Sequence, residues 1–592
     1  MFGARFDDAI AGRSFELIHP VEELVAWTVG DVIPTLERVR VASKAGMWVA
    51  GYVSYEAASA FDTALVTRQG TRRPLAWFGI FGSRRWTEAP TEGSARTAYS
   101  VSGWTPSVSR EEYRQRFDTI RSHIHHGDTY QVNLTFPLTA AFSGETSAFY
   151  NDLLSAQQPA YACHLFYGDT HIVSSSPERF FTVADGRIVT SPMKGTARRG
   201  RWLEEDQSAR ERLAMSDKDK AENLMIVDLV RNDLGRVARF GSVRVDELFA
   251  IEGFKTVWQM TSTISADLAP DVTLVDVFSA LFPCGSVTGA PKTSSMAVIA
   301  DIEASPRDVY CGAIGFIPPG DGLDGASFNV AIRTAVIDES EGIATFGVGG
   351  GVTWYSEAEA EYDETVTKAL VLARRTEPFG LIETIRWDPA EIDPWILLDD
   401  HLGRLESSSE YFGIGFDRSE VVDHLNAVVV GKSSAQRVRL VVSDGGVETQ
   451  SVELSGRFAL GPSPESRSVV LAIDETAIDS TDPVMFHKTT NRYAYTMRGE
   501  RHPDADDVVL VNEAGFVTES TIANIAVKVE DVWVTPPRED GLLAGVLRNH
   551  LVSTGVIKER SITVEEFRSA EAVAVVNSVR GWRRAVIGQH LS

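Results

Sequence analysis

Two acidic clusters in the sequence could each present paired oxygens to a hard dication. The stretch from Asp217 to Leu234 has helical spacing, and Ala221, Leu224, Met225 and Leu229, at i, i+3, i+4 and i+8, are its expected buried stripe. Asp219 and Glu222 share a different face, one turn apart. A second cluster runs from Glu357 to Thr365. There Ala358, Tyr362, Ala369, Leu370 and Ala373 make the stripe, with Glu361 and Glu364 beside it. Acidic residues in a first helical turn are favoured by the helix dipole alone, so either cluster by itself is more often a solvated helix start. Together, two such helices could hold one cation between them.

These groups lie far apart in the chain and need a scaffold. Apolar runs over Met47–Val53 and Ala76–Phe81 read as strands and Glu111–His126 as a helix, a mixture that predicts a large α+β domain built on antiparallel sheets. The second acidic helix should stop near Arg374–Gly380, where basic residues are followed by Pro378 and Gly380. That break predicts two domains, 1–376 and 377–592. Downstream, Arg437–Ser443 reads as a strand that turns at Asp444-Gly445-Gly446. A further break at Gly461–Ser466 is expected in or near a linker between two lobes.

At 592 residues the chain is too long for one core. Its net charge of −25 opposes polyanions, so nucleic-acid binding is not expected. Cys163, Cys284 and Cys311 are odd in number and lack metal-type spacing, and are expected as reduced thiols. No apolar run approaches the roughly 18–20 residues needed to span a bilayer. Asp7 and Asp8, with no apolar stretch after a basic start, argue against a secretory leader. A cytoplasmic location is therefore expected.

From about Gly51 to Arg375 the sequence resembles the chorismate-utilising enzymes, in the branch of aminodeoxychorismate synthase component I. The resemblance rests on Gly127-Asp128-Thr129-Tyr130-Gln131-Val132-Asn133, Ser176-Pro177-Glu178-Arg179, Pro192-Met193-Lys194-Gly195-Thr196, Gly285-Ser286-Val287-Thr288-Gly289-Ala290-Pro291-Lys292, Ala331-Ile332-Arg333-Thr334 and Gly349-Gly350-Gly351. It implies a large antiparallel sandwich that aminates chorismate at C4 with Mg²⁺. Glu222 and Glu364 would ligate the metal, with Asp219 and Glu361 behind them or bound through water. Arg333, Thr288, Tyr310 and the Gly349, Gly350 and Gly351 backbone would hold the substrate carboxylates. Lys194 would attack C2, and Glu178 would protonate the departing hydroxyl. Anthranilate synthases usually have alanine at the Lys194 position, which disfavours an anthranilate synthase-like reading. Gln131, facing the substrate, stands where water-adding relatives carry a lysine base, which favours ammonia. Gln259 replaces a histidine common in relatives. Ser54-Tyr55-Glu56 resembles a tryptophan-site region of related enzymes. No glutaminase motif is present, so ammonia is expected from a separate glutamine amidotransferase subunit or from free ammonium.

From about Phe379 onward the sequence resembles 4-amino-4-deoxychorismate lyase, in the two-lobed fold type IV pyridoxal-phosphate proteins. The motifs are Leu381-Ile382-Glu383-Thr384-Ile385-Arg386, Asp400-His401-Leu402-Gly403-Arg404, His487-Lys488-Thr489-Thr490-Asn491-Arg492, Val517-Thr518-Glu519-Ser520 and Leu543-Ala544-Gly545-Val546-Leu547-Arg548. Lys488 matches the cofactor-binding lysine and Glu519 the acid at the pyridine nitrogen. Arg404, the Val546–Leu547 backbone, Asn577 and Ser578 match the phosphate cup, and Thr384 lies on the substrate side. The fusion would turn chorismate and ammonia into 4-aminobenzoate, a folate precursor, and pyruvate. The same cofactor residues also serve class IV aminotransferases of branched-chain or D-amino acids, which is the alternative for this half. Many relatives dimerise, so a homodimer is expected.

Overall fold

The strand Ile343–Val352 alternates buried and less buried side chains along its length, the period-two pattern of a strand with one face in a core. It pairs antiparallel with Gln131–Gly144 over ten residues, from Ile343↔Ala141 to Val352↔Val132. The computed structural model describes residues 2–88, 98–157, 159–369, 379–456, 458–462 and 468–588. The chain divides into two units, Met1–Arg198 with Arg210–Thr376, and Arg199–Ala209 with Glu377–Ser592. The Arg374–Gly380 join lies largely outside the described residues, as do Leu370 and Ala373.

In the first unit one antiparallel run starts at Gln131–Gly144 and Ile343–Val352 and continues through Thr334–Asp338, Thr170–Ser176, Tyr161–Tyr167 and Phe2–Asp8. From Arg13–Ala26 it proceeds through Ala76–Thr87, Trp48–Val53, Ala313–Ile317, Ser327–Val330 and Arg179–Ala184. Arg187–Ser191 and Val257–Asp267 follow, and Met193–Arg198 hangs on the last of these. The triple-glycine strand and Lys194 thus sit at opposite ends of the run. Only a sheet folded over on itself can bring them together.

Helices cover the sheet. Arg110–His126 is entered through a reciprocal cap, Ser109 N–H donating to Glu112 at 2.9 Å, and leaves through Gly127 at φ 81. It buries Tyr113, Phe117 and Ile120. Asp217–Gly235 starts at Ser216, whose hydroxyl accepts from the Asp219 N–H at 3.2 Å. Its buried face is not the expected stripe. Asn223, Ile226, Val227, Val230 and Leu234 are buried, whereas Leu224 is 44% exposed. Apolar residues lie on two faces of this helix, and the inward one is the face whose Asn223 amide reaches the Lys194 carbonyl at 3.3 Å and accepts from the Ser262 hydroxyl at 2.6 Å. In the second acidic helix, Ala358–Ala369, Tyr362 is buried as expected.

Beneath the sheet, Phe278 is fully buried among Phe61, Phe181 and Phe328, with ring centroids 5.3–5.9 Å away. Phe278→Ala should cost about 3–5 kcal/mol through the cavity it leaves. Urea unfolding would show a lower midpoint for the transition of this unit.

The second unit has two sheets. Leu381–Trp387, Gln436–Ser443 and Gly446–Glu453 form a three-stranded antiparallel sheet, against which Leu398–Phe412 and Arg418–Val428 pack. A nine-stranded mixed sheet follows from Val469 to Ile587, with Val469–Ile473 parallel to both Asp507–Val511 and Gly581–Ile587. The Gly461–Ser466 stretch falls between these sheets, and its residues 463–466 lie outside the described residues. Arg199–Ala209 packs within this unit, where the Tyr411 hydroxyl donates to the Gly200 carbonyl at 2.7 Å. Among the described residues no helix is long and apolar enough to cross a membrane.

Candidate active sites

The two ends of the first unit's sheet meet at a cavity of about 190 Å³ lined by Glu178, Lys194, Asp219, Glu222, Tyr310, Arg333, Gly349, Gly350, Gly351, Glu361 and Glu364. At Gly351 a Cβ would lie 2.2 Å from the Gln131 amide nitrogen and 3.0 Å from Lys194 Nζ, so a side chain there would displace the amide and crowd the lysine. Gly347 is filled in the same way by the Tyr310 ring, 2.2 Å from its would-be Cβ.

Glu178 is buried at the head of Arg179–Ala184. Its Oε1 accepts from the Ser286 hydroxyl at 2.5 Å, and the Cys284 thiol lies 3.8 Å from the same oxygen. Burial pushes the carboxyl up to about 7, against the opposing pull of Ser286 and Lys194. Both donors engage Oε1, and the Met193 backbone N–H also bonds the carboxyl. Arg333, held at φ 50, donates to Gln157 Oε1 at 2.9 Å. Burial alone lowers its guanidinium to about 10, with no carboxylate to offset the loss of solvent. A cation so placed is ready for an anionic ligand. Gln131 is fully buried, and neither end of its amide has a hydrogen-bond partner.

Glu222 Oε1 accepts from the Thr353 hydroxyl at 3.3 Å. Among the described residues no three acidic, histidine or cysteine groups form a ready metal cage. The donor set is nonetheless the one a Mg²⁺ ion uses, one or two carboxylates with water and ligand oxygens completing the shell. Thr288 does not reach the cavity wall, because its hydroxyl donates to the Cys284 and Gly285 carbonyls at 3.2 and 3.3 Å. Gln259 does line it, with its amide nitrogen donating to the Gly195 carbonyl at 2.9 Å and its oxygen accepting from Thr196 at 3.2 Å.

The second unit holds a cavity of about 300 Å³ lined by Thr384, Arg404, Lys488, Glu519, Val546, Asn577 and Ser578. The Lys488 carbonyl accepts from the Ile382 N–H at 2.8 Å, which ties the lysine to the three-stranded sheet. Burial, then Arg404, pushes its amine down to about 8. Glu519 Oε1 accepts from the Tyr495 hydroxyl at 2.8 Å and the Leu543 N–H at 3.2 Å, while burial raises the carboxyl to about 7. Arg404 forks onto Glu383 at 2.8 and 2.7 Å. Burial alone would raise Glu383, but Arg404 and His401 hold it well below the usual carboxylate range. Val546 and Leu547 open the helix Val546–Ser553, whose first N–H groups are available to an anion; the Leu547 side chain itself is in the core. Asn577 Oδ1 accepts from the Val579 and Arg580 N–H groups at 3.2 and 2.8 Å. An amine, a carboxyl, a guanidinium and a helix start around one cavity fit pyridoxal phosphate by donor chemistry.

Residues 11–374 match the family of chorismate binding enzymes. The chain belongs to that family. Residues 380–586 match the class IV amino-transferases, so a chorismate-binding unit is fused here to a class IV unit in one enzyme. Aminodeoxychorismate synthase component 1 of Klebsiella aerogenes is 39% identical over 311 residues, 52% of this chain and 68% of that protein. The protein of the same name from Escherichia coli (strain K12) is 36% identical over 319 residues, 54% of this chain and 69% of that protein. Anthranilate synthase component I from Streptococcus pneumoniae TIGR4 superposes with a TM-score of 0.54 at 25% identity, covering 62% of this chain and 92% of that one.

Sequence reasoning passed over several lining residues. In the chorismate-binding unit these include Asn133, Lys218 and Ser286. Ser286 lies within the Gly285–Lys292 motif, and only the fold brings its hydroxyl to Glu178. In the class IV unit Arg437, Arg439 and Arg492 were missed. The alternation of Arg437-Val438-Arg439-Leu440 was the signal for two of them.

Proposed function

We propose that the chain makes 4-aminobenzoate and pyruvate from chorismate and ammonia in two steps, one per unit. The observation that carries this reading is Lys194 facing the cavity that Glu178 and Arg333 also line. Arg333 and the glycine backbone bind the carboxylates of chorismate. Lys194 Nζ bonds to C2, the ring double bonds shift, and the C4–oxygen bond breaks as Glu178 delivers its proton to the leaving hydroxyl. Ammonia then bonds to C4, the double bonds shift back and the C2–Nζ bond breaks. Glu222 and Glu364 would hold Mg²⁺ against the ring carboxylate, with Asp219 and Glu361 beside them, where it would supply countercharge.

In the second step pyridoxal phosphate, when bound, supplies an electron sink for the pair released at C4. Lys488 would hold the cofactor and take the C4 proton of the substrate. Glu519 would keep the pyridine nitrogen protonated. Arg404, Ser578, the Asn577 turn and the Val546–Leu547 backbone would hold the phosphate. Aromatisation expels the enolpyruvyl group as pyruvate, and the product enters folate synthesis. A separate glutamine amidotransferase subunit delivers the ammonia. The protein works in the cytoplasm, as a homodimer through the class IV unit.

Because Glu178 must be protonated to act, a carboxyl near 7 predicts that amination slows as pH rises through that value. Ser286→Ala removes a donor that favours the charged form, so the alkaline limb should move to higher pH. Rates at constant free ammonia would show it. The direct test of the whole reading is to incubate the chain with chorismate, Mg²⁺, ammonium and pyridoxal phosphate. Equimolar 4-aminobenzoate and pyruvate are expected; anthranilate would overturn the first step, and accumulated aminodeoxychorismate the second.

A further inference from the structure

We propose that residues 199–209, a stretch between two parts of the chorismate-binding unit, act as a brace that holds His487 and through it positions Lys488 for the cofactor. This rests on the pyridoxal-phosphate reading above and adds positioning residues outside the cavity. The segment interrupts the first unit between Arg198 and Arg210 and belongs with Glu377–Ser592 instead. It begins directly after Met193–Arg198, the strand that bears Lys194. Among the described residues that line the Lys488 cavity, none comes from it.

His487 is the joint. It is buried and directly precedes Lys488. Its Nε2 donates to the Arg201 carbonyl at 3.2 Å, and because a carbonyl only accepts, the ring hydrogen sits on Nε2. Burial, then Arg538 and Arg199, lower the ring to about 3, so it is neutral and Nδ1 accepts from the Ser408 hydroxyl at 2.9 Å. Ser408 stands one turn after Arg404 on Leu398–Phe412, so the imidazole ties the segment to the helix that carries this cavity-lining arginine. The lysine's backbone is thus held on both sides, by His487 before it and by the Ile382 N–H at its own carbonyl.

The segment is fixed where it meets the joint. Asp206 accepts from Arg199 Nε at 2.7 Å and from the Gly200 N–H at 2.8 Å, and a Cβ on Gly200 would lie 2.2 Å from the Asp206 nitrogen, so the turn closes tightly. The Tyr411 ring, whose hydroxyl reaches Gly200, lies against His487 with centroids 4.4 Å apart. Trp202 packs on Phe486 at 5.1 Å, beside a cluster that includes Tyr495, the donor to Glu519. The ordinary reading, a surface segment that only covers apolar side chains, accounts for Trp202. It does not account for a main-chain carbonyl directed at the imidazole beside the lysine.

The experiment uses the full chain, stripped of cofactor and titrated with pyridoxal phosphate by visible absorbance. His487→Phe keeps the bulk of the ring and loses both hydrogen bonds. Its cofactor dissociation constant is expected to rise about ten-fold, the factor for a buried hydrogen bond. In the loaded variant kcat for pyruvate release should fall by a similar factor, with the KM for aminodeoxychorismate changed far less. His487→Gln, which can still donate to the Arg201 carbonyl, should recover most of the loss. Trp202→Ala, a change in the segment itself, should weaken cofactor binding in the same direction. Amination of chorismate by the His487 variants should stay within two-fold of the wild type, which shows that the chain is folded. Ser408→Ala, the smallest change at the joint, should weaken cofactor binding about three-fold or more, and it decides the matter if the larger variants do not fold. Cofactor binding within two-fold of the wild type in the folded variants overturns the inference, as does a His487→Gln chain that binds no better than His487→Phe. A wild-type chain that binds no pyridoxal phosphate overturns the cofactor reading instead.

Discussion

Lys488→Ala is expected to cut pyruvate release by at least about a thousand-fold, the scale of losing a positioned acid–base group, while chorismate and ammonia still yield aminodeoxychorismate. Burial and the neighbouring Arg404 favour the neutral amine, lowering it to about 8. That is the form that holds a carbonyl cofactor and later accepts a proton. Nothing else lining the cavity replaces it. Arg404 and Arg492 are guanidinium groups that stay charged, and Glu519 is tied to Tyr495 and Leu543. Chromatography of the reaction mixture would show the intermediate rising as chorismate falls. Loss of both products in a folded variant would contradict the assignment of one site to each unit.

Local pattern carried the elements, and tertiary pairing decided which faces they use. The helix Asp217–Gly235 begins where Ser216 and the acidic first turn indicated. Its buried face differs from the expected stripe because apolar residues lie on both sides, and two hydrogen bonds between Asn223 and distant strands fix the choice. The three glycines Gly349–Gly351 read as a close approach of backbone, yet what approaches Gly351 is Lys194 and Gln131, both far off in the chain. No local signal states that pairing, because it arises only when a long antiparallel run folds back on itself. For Arg437 and Arg439 the alternation along the strand is legible in the sequence, but both are exposed and only the fold shows that their face lines the cavity of Lys488.

Lys194→Ala should lower aminodeoxychorismate formation by at least about a hundred-fold, the low end for a catalytic group, and leave the lyase step on supplied aminodeoxychorismate unchanged. The lysine lies on Met193–Arg198 and lines the cavity that Glu178 also lines, the acid proposed for this step. Without the amine, C2 loses its nucleophile, and the C4 hydroxyl must leave with acid assistance alone. The substrate carboxylates keep Arg333, so KM should change less than kcat, which marks loss of a group used in the transition state. The variant also tests whether the lysine bonds to substrate or only supplies charge. Lys194→Arg keeps a cation but has no neutral amine at working pH, so it should remain as inactive as alanine. Substantial activity in Lys194→Arg, measured by loss of chorismate and gain of the amine, would reduce Lys194 to a countercharge and return the first step to direct attack by ammonia.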